Sequence, residues 1–207
     1  MTLWAIVPVK PLRRGKSRLS GVLTEEERTI LNYTLLGHTL KTLGEVKRID
    51  TILVVSRDPA ALALAREHGA RTVLEEGSPE LNTALRRAAT VANVYHAQEI
   101  LIIPADLPLI TADDVQQFLS HVKKPPQMII APDRRMDGTN ALYISPPEMI
   151  EFNYGPGSYH KYRQQAEKLD IPVEVCEMSS FGLDLDLPED LEMLRKIELS
   201  KVRIPLP

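Results

Sequence analysis

A chain of 207 residues that is 43% hydrophobic and 26% charged can bury a continuous core without disulfides or metals, so a single domain spanning residues 1–207 is expected. A net charge of -3, with the basic residues spread along the chain, argues against a nucleic-acid partner. The one cysteine, Cys176, excludes an internal disulfide and lies in a strand-like run, where a thiol is a small core residue.

The first apolar run, Leu3 to Val7, is too short for a membrane span and lacks the charged start and cleavage site of a signal peptide. No later run approaches roughly 18 apolar residues, so no membrane partner and a cytoplasmic location are expected. Leu3 to Val7, Ile49 to Val55, Arg71 to Leu74 and Glu99 to Ile103 lack strict alternation, as strands buried on both faces do; the first, second and fourth are the best central strands. Between them stand marked helix starts. Thr24 and Glu27 form a capping box, Asp58-Pro59 and Ser78-Pro79 each put a cap before a proline, and Thr111 precedes Asp113 and Asp114. Gly69 closes the second of these helices. After Gln127 to Ala131 the pattern loosens, and Pro132 to Ser158 reads as an irregular, functional insertion rich in turn residues. A helix after Ser158, a strand at Ile171 to Cys176 and a helix from Pro188 follow, and the tail Lys201 to Pro207 could be disordered or could dock on a second subunit, which would make a homodimer. Strands alternating with amphipathic helices give an α/β class with a mainly parallel sheet.

In such a sheet ligands bind beyond the carboxyl ends of the strands. After the first strand, Lys10, Arg13, Arg14, Lys16 and Arg18 place five cations in nine residues, which suits a polyphosphate or simply a solvated basic loop. The loop lacks the glycines of a Walker A motif, which disfavours a P-loop enzyme. After the fourth strand, Asp106 sits in Pro104-Ala105-Asp106-Leu107-Pro108, a strand-end carboxylate of the kind magnesium takes beside substrate phosphates. Thr111 already supplies the next helix cap, which favours the metal role. Asp184 and Asp186 alternate with leucines and, if extended, project to one side, where their repulsion calls for a counter-cation; they could equally stabilise the last helix. Thr139 and the segment Gly155-Pro156-Gly157-Ser158 could bind an anion through hydroxyls and a helix N-terminus, or be an ordinary turn and cap. Asn82 could meet a base edge or lie on the surface. The five histidines show no ligand spacing, and no G-x-S-x-G is present.

The opening PVK…KSRL, then PADLP, GTNAL, GPGSY and DLDLPEDL, in that order along nearly the whole chain, resemble the 2-phospho-L-lactate guanylyltransferase family. The resemblance implies a Rossmann-like nucleotidyltransferase fold of the glycosyltransferase-A type. It further implies transfer of GMP from GTP to 2-phospho-L-lactate, or to phosphoenolpyruvate in related members, with release of pyrophosphate, in biosynthesis of a deazaflavin coenzyme. By the same resemblance Asp106, Asp184 and Asp186 match magnesium ligands, Thr139, Gly155 and Ser158 match positions that hold the phosphorylated acid, and Lys10, Lys16 and Arg18 fall in the nucleotide motif. Pro8-Val9-Lys10 departs from the glycine-rich opening common in this group, so backbone cradling of the triphosphate is not implied.

The reaction so implied needs no general base, because a phosphate monoester with a second pKa of roughly 6 is largely dianionic near neutrality. Two other readings stay open: a nucleotidyltransferase acting on a sugar phosphate or a molybdenum cofactor precursor, and a non-catalytic nucleotide-binding regulator.

Overall fold

Each buried apolar run of the N-terminal half becomes a strand, and each capped run between them a helix lying across the sheet. The computed structural model describes residues 1–77 and 80–198. The strands β1 (Leu3–Val9), β2 (Thr51–Ser56), β3 (Arg71–Leu74), β4 (Glu99–Ile102), β5 (Gln127–Pro132), β6 (Thr139–Ser145) and β7 (Val173–Val175) form one sheet in the order β3-β2-β1-β4-β6-β5-β7. All neighbours pair in parallel except β6, which runs antiparallel to both β4 and β5. As expected, β2, β1 and β4 lie inside the sheet, with β3 at its edge.

Side chains alternate across β1: Leu3, Ala5, Val7 and Val9 pack on one face, Trp4 and Ile6 on the other. The first face is covered by α1 (Glu25–Gly44), α2 (Pro59–Glu67) and α4 (Ala112–Ser120), the second by α3 (Leu81–Val94) and α5 (Ser158–Lys168). Helix starts follow the sequence closely. Thr24 and Glu27 close a capping box, as do Thr111 and Asp114, and Asp58 caps α2 ahead of Pro59. Gly69, at φ 76°, ends α2 in a left-handed conformation that favours glycine, its N–H and that of Ala70 taking the carbonyls of Arg66 and Ala65.

Two expectations change. Pro132 to Ser158 is not wholly irregular: it contains β6, buried at every residue, whose polar Thr139, Asn140 and Ser145 hide its strand character. The third helix starts at Leu81 with Glu80 as its cap, later than the Ser78-Pro79 signal, and those two residues lie outside the described ones. The tail Lys201 to Pro207 lies outside them too. Among the described residues no helix is long and apolar enough to cross a membrane.

A third apolar cluster positions the chemistry. Leu19, Leu23, Leu31 and Leu35 from the first third of the chain pack on Leu183, Leu185, Leu191 and Leu194 near its end, the last two on α7 (Pro188–Glu198), which follows the short α6 (Ser179–Gly182). Fully burying a leucine stabilises by about 1.5–3 kcal/mol, so Leu19 and Leu185, both without exposed surface, fix the chain on either side of the charged residues they neighbour.

Candidate active site

Strand order reverses at β1, whose neighbours β2 and β4 are reached through helices on opposite faces of the sheet, α1 and α3, and a crevice opens at their carboxyl ends. A cleft of about 390 Å³ lies there, lined by the loop Pro8 to Lys16, by Arg57, Glu75 and Leu81, and by Pro104, Asp106 and Asp186. That volume is in the range of small-molecule sites.

The cation-rich loop is held as a built structure. Leu12 N–H donates to Asp58 Oδ2 at 2.7 Å, while Oδ1 of the same carboxylate caps α2. Asn32 Nδ2 of α1 donates to Leu12 O at 2.7 Å. A Cβ at Gly15 would lie 2.6 Å from that Asn32 nitrogen, so close approach explains the glycine. The next residue, Lys16, takes a left-handed conformation (φ 56°, ψ 36°) at the start of the 3-10 turn Ser17–Leu19, and its side chain enters the cleft wall.

There the Lys16 ammonium lies 2.7 Å from Asp106 Oδ2 and 2.9 Å from Asp186 Oδ1, with only 6% of its side chain exposed. Burial works to lower the Lys16 pKa, but the two carboxylates overcome it and hold the group above its ordinary value. Asp186 shows the converse: burial pushes up, and Lys16, helped by Lys10 and Arg18, brings the net shift below the usual carboxylate range. Among the described residues Asp184 has no such cationic partner; burial first, and then the charge of Asp106, raise its pKa. Arg18, largely exposed and 3.9 Å from Asp186, adds a weaker contact.

Asp106 and Asp186 therefore meet at Lys16, with Asp184 near enough to feel their charge, yet not as the ready metal cage that the sequence suggests. Among the described residues no three carboxylate, imidazole or thiol side chains gather to hold a metal ion, and the counter-cation between Asp106 and Asp186 is Lys16. Nor is the segment fully extended: Asp186 N–H bonds Asp184 O at 3.1 Å in a tight turn that buries Leu185, whose own N–H bonds Asp106 O at 3.0 Å. Asp190, missed in the sequence reading, anchors this turn. Its Oδ2 accepts from the N–H groups of Asp186 and Leu187, and its Oδ1 pairs with Arg134.

Around the start of β6, Thr139 Oγ1 and Ser158 Oγ converge at 3.1 Å, both nearly buried. Gly155 (φ 121°) and Gly157 (φ 70°) form the left-handed turn that opens α5, and Asp137 closes it by accepting from Gly157 N–H at 3.0 Å. The Asn82 amide is engaged by the backbone of Tyr154. Its Oδ1 accepts from Tyr154 N–H at 2.7 Å and its Nδ2 donates to Tyr154 O at 3.3 Å, so it clamps α3 to the glycine turn. That backbone unit takes one N–H and one oxygen lone pair of the amide, which keeps one donor and one acceptor beyond the clamp.

The family model described as "Guanylyl transferase CofC like" matches residues 3–197. A phosphoenolpyruvate guanylyltransferase of Rubrobacter xylanophilus is 41% identical over 194 residues, covering 94% of each chain. A 2-phospho-L-lactate guanylyltransferase of Methanocaldococcus infernus is 33% identical, covering 90% of this chain and 81% of its own. In fold the chain resembles a nucleotidyl transferase from Methanothermobacter thermautotroptrophicus, with a TM-score of 0.70 at 13% identity and coverage of 96% and 98%. A topological-switch cleft lined by a cation loop and paired aspartates, on a sequence that matches this family over residues 3–197, places the chain in the CofC-like guanylyl transferase family, as a nucleotide-transferring enzyme.

Proposed function

We propose that this chain transfers GMP from GTP to a phosphorylated three-carbon acid, phosphoenolpyruvate ahead of 2-phospho-L-lactate, releasing pyrophosphate in the formation of a deazaflavin coenzyme. The observation that carries the reading is the cleft itself, in which Lys10, Lys16 and Arg18 from one loop face Asp106 and Asp186 from two others. Preference for phosphoenolpyruvate rests on the relatives of that name, such as the one 41% identical over 194 residues.

An oxygen of the acceptor phosphate attacks the α-phosphorus of GTP, the bond from that phosphorus to the bridging oxygen of pyrophosphate breaks, and a diphosphate linkage forms. The acceptor is already dianionic, so this chain has to position and neutralise rather than remove a proton. Lys10 and Arg18 stand at the cleft mouth to meet triphosphate oxygens. Thr139, Ser158 and Gly155 form the candidate acceptor end, where the start of α5 favours an anion.

The donor set fits magnesium in number and charge. Asp106 and Asp186 direct one oxygen each at a single cationic atom, and two carboxylates beside substrate phosphates are what this ion ordinarily takes. They would hold it, with Asp184 beside them. When bound, magnesium supplies charge neutralisation between the acceptor and the α-phosphate. Lys16 is the resident counter-charge at the same oxygens, which keeps the carboxylates converged.

Asp106→Asn keeps the shape of the site while weakening its hold on a cation, and is expected to lower turnover at least about a hundredfold. Ser158→Ala is expected to raise the KM for the acid with little change for GTP. Pyrophosphate release measures both; wild-type turnover in Asp106→Asn at saturating magnesium removes Asp106 from the reaction.

A further inference from the structure

The cleft has a second charged end, remote from Asp106. Glu75, directly after β3, lines it together with Arg57, while Leu81 and Ala84 of α3, Val55 and Pro104 supply apolar wall. β3 and β4 are separated by β2 and β1, so at about 4.8 Å per strand the two ends stand about 14 Å apart across the sheet. A nucleoside triphosphate spans such a cleft with its phosphates at the lysine end and its base at the other.

The Glu75 side chain is 13% exposed and, among the described residues, only loosely engaged: Oε2 meets Arg57 Nε at 3.5 Å, and Oε1 meets Glu80 N–H at 3.2 Å. Acceptor capacity therefore remains on both oxygens. Glu80 also lines the cleft but is exposed and occupied, its two oxygens taking the N–H groups of Asn82 and Thr83 as the cap of α3. Arg57 Nη2 is fixed on Gly77 O at 2.7 Å, which orients the guanidinium beside Glu75 and leaves it further N–H donors.

We propose that Glu75, oriented by Arg57, selects guanine by accepting hydrogen bonds from N1–H and the 2-amino group of the base. Guanine carries both donors on one edge. Adenine offers an acceptor at N1 and no 2-amino group, so it would oppose the carboxylate with a lone pair. A partly desolvated carboxylate left without a donor discriminates strongly, which is the route by which polar sites reject analogues that lack a hydrogen-bonding group. Arg57 places donors beside the same oxygens, where the O6 edge of guanine would lie. This assignment rests on the guanylyl-transfer reading above.

The test compares GTP, ITP, which lacks the 2-amino group, and XTP, which replaces it with a carbonyl, in wild type and Glu75→Gln. Pyrophosphate release with phosphoenolpyruvate and calorimetric binding of each nucleotide are both measured. Wild type is expected to favour GTP over ITP by about tenfold or more. In Glu75→Gln the GTP to ITP ratio falls towards one and XTP use rises, because an amide can donate to the xanthine carbonyl. Ratios taken within one preparation do not depend on how much of the variant is folded. An unchanged GTP to ITP ratio in the variant, in turnover or in binding, overturns the assignment. Wild type that binds GTP over ITP but releases no pyrophosphate with either acid sinks the reaction, while the binding ratio still decides the role of Glu75.

Discussion

Lys16 joins carboxylates that lie 90 and 170 residues away in sequence, and it does so at a cleft wall where its own charge is nearly buried. Lys16→Met removes the cation and leaves two carboxylates facing each other. Both are part-exposed, at 28% and 39%, so water takes up much of the freed charge and the stability cost should stay near 1 kcal/mol. Activity is expected to fall by two orders of magnitude or more, giving a folded, inactive protein in a thermal melt run beside a pyrophosphate assay. Substantial turnover in Lys16→Met would mean that Lys10 and Arg18 suffice. His38 tests a different residue-level inference. Burial in α1 lowers its pKa, and its Nε2 meets Ile110 O at 3.0 Å in the loop that carries Asp106. The unfolded chain binds that proton near pH 6.5 and the folded one only at lower pH, so the stability present above about pH 6.5 is lost as pH falls below it. Urea unfolding at about pH 7 and pH 5.5 should show a smaller acid loss in His38→Gln than in wild type; equal losses would remove His38 from the linkage.

At the scale of elements, three devices hold loops rather than substrates. Asp58 caps α2 and pins the cation loop, Asp190 caps α7 and pins the aspartate turn, and Asn82 clamps α3 to the glycine turn that opens α5. Asp190→Ala would free two backbone N–H groups and leave Arg134 without its carboxylate, a destabilisation of about 2 kcal/mol read from denaturant midpoints. Turnover should fall with it, because Asp186 loses its fixed backbone. Asn82→Ala should instead raise the KM for the acid more than that for GTP, since the clamp supports the turn at Gly155. The opposite split would place Asn82 with the base after all. Caps were readable at Thr24, Asp58 and Thr111 because capping is local chemistry within three residues. The long-range links were not: Asp58 to Leu12, Asp190 to Arg134 and Asn82 to Tyr154 join residues 46, 56 and 72 positions apart, and no periodicity reports such a pair.

For the molecule as a whole, apolar run length and cap placement carried the parallel half of the sheet, since strands buried on both faces announce themselves by composition. They did not carry β6, whose threonine, asparagine and serine bind neighbouring groups inside the fold: Thr139 to Ser158, Asn140 to Phe181 O, Ser145 to Gln98 O. The site was legible as residue types at strand ends and illegible as contacts, so the aspartates were found while their lysine partner was assigned to phosphate alone. Cys176 behaves as a core thiol, its pKa pushed up to about 11 by burial and by Glu174, and it should resist alkylation at pH 8 until the chain unfolds. The proposed reaction needs two substrates at once. Its most direct test is pyrophosphate release by the purified chain with magnesium and GTP, with phosphoenolpyruvate or 2-phospho-L-lactate added or omitted, and mass analysis of the product. The account predicts release only when GTP and an acid are both present, with a product that joins GMP to the acid through a diphosphate. Release from GTP alone, or none from folded protein with either acid, would contradict it.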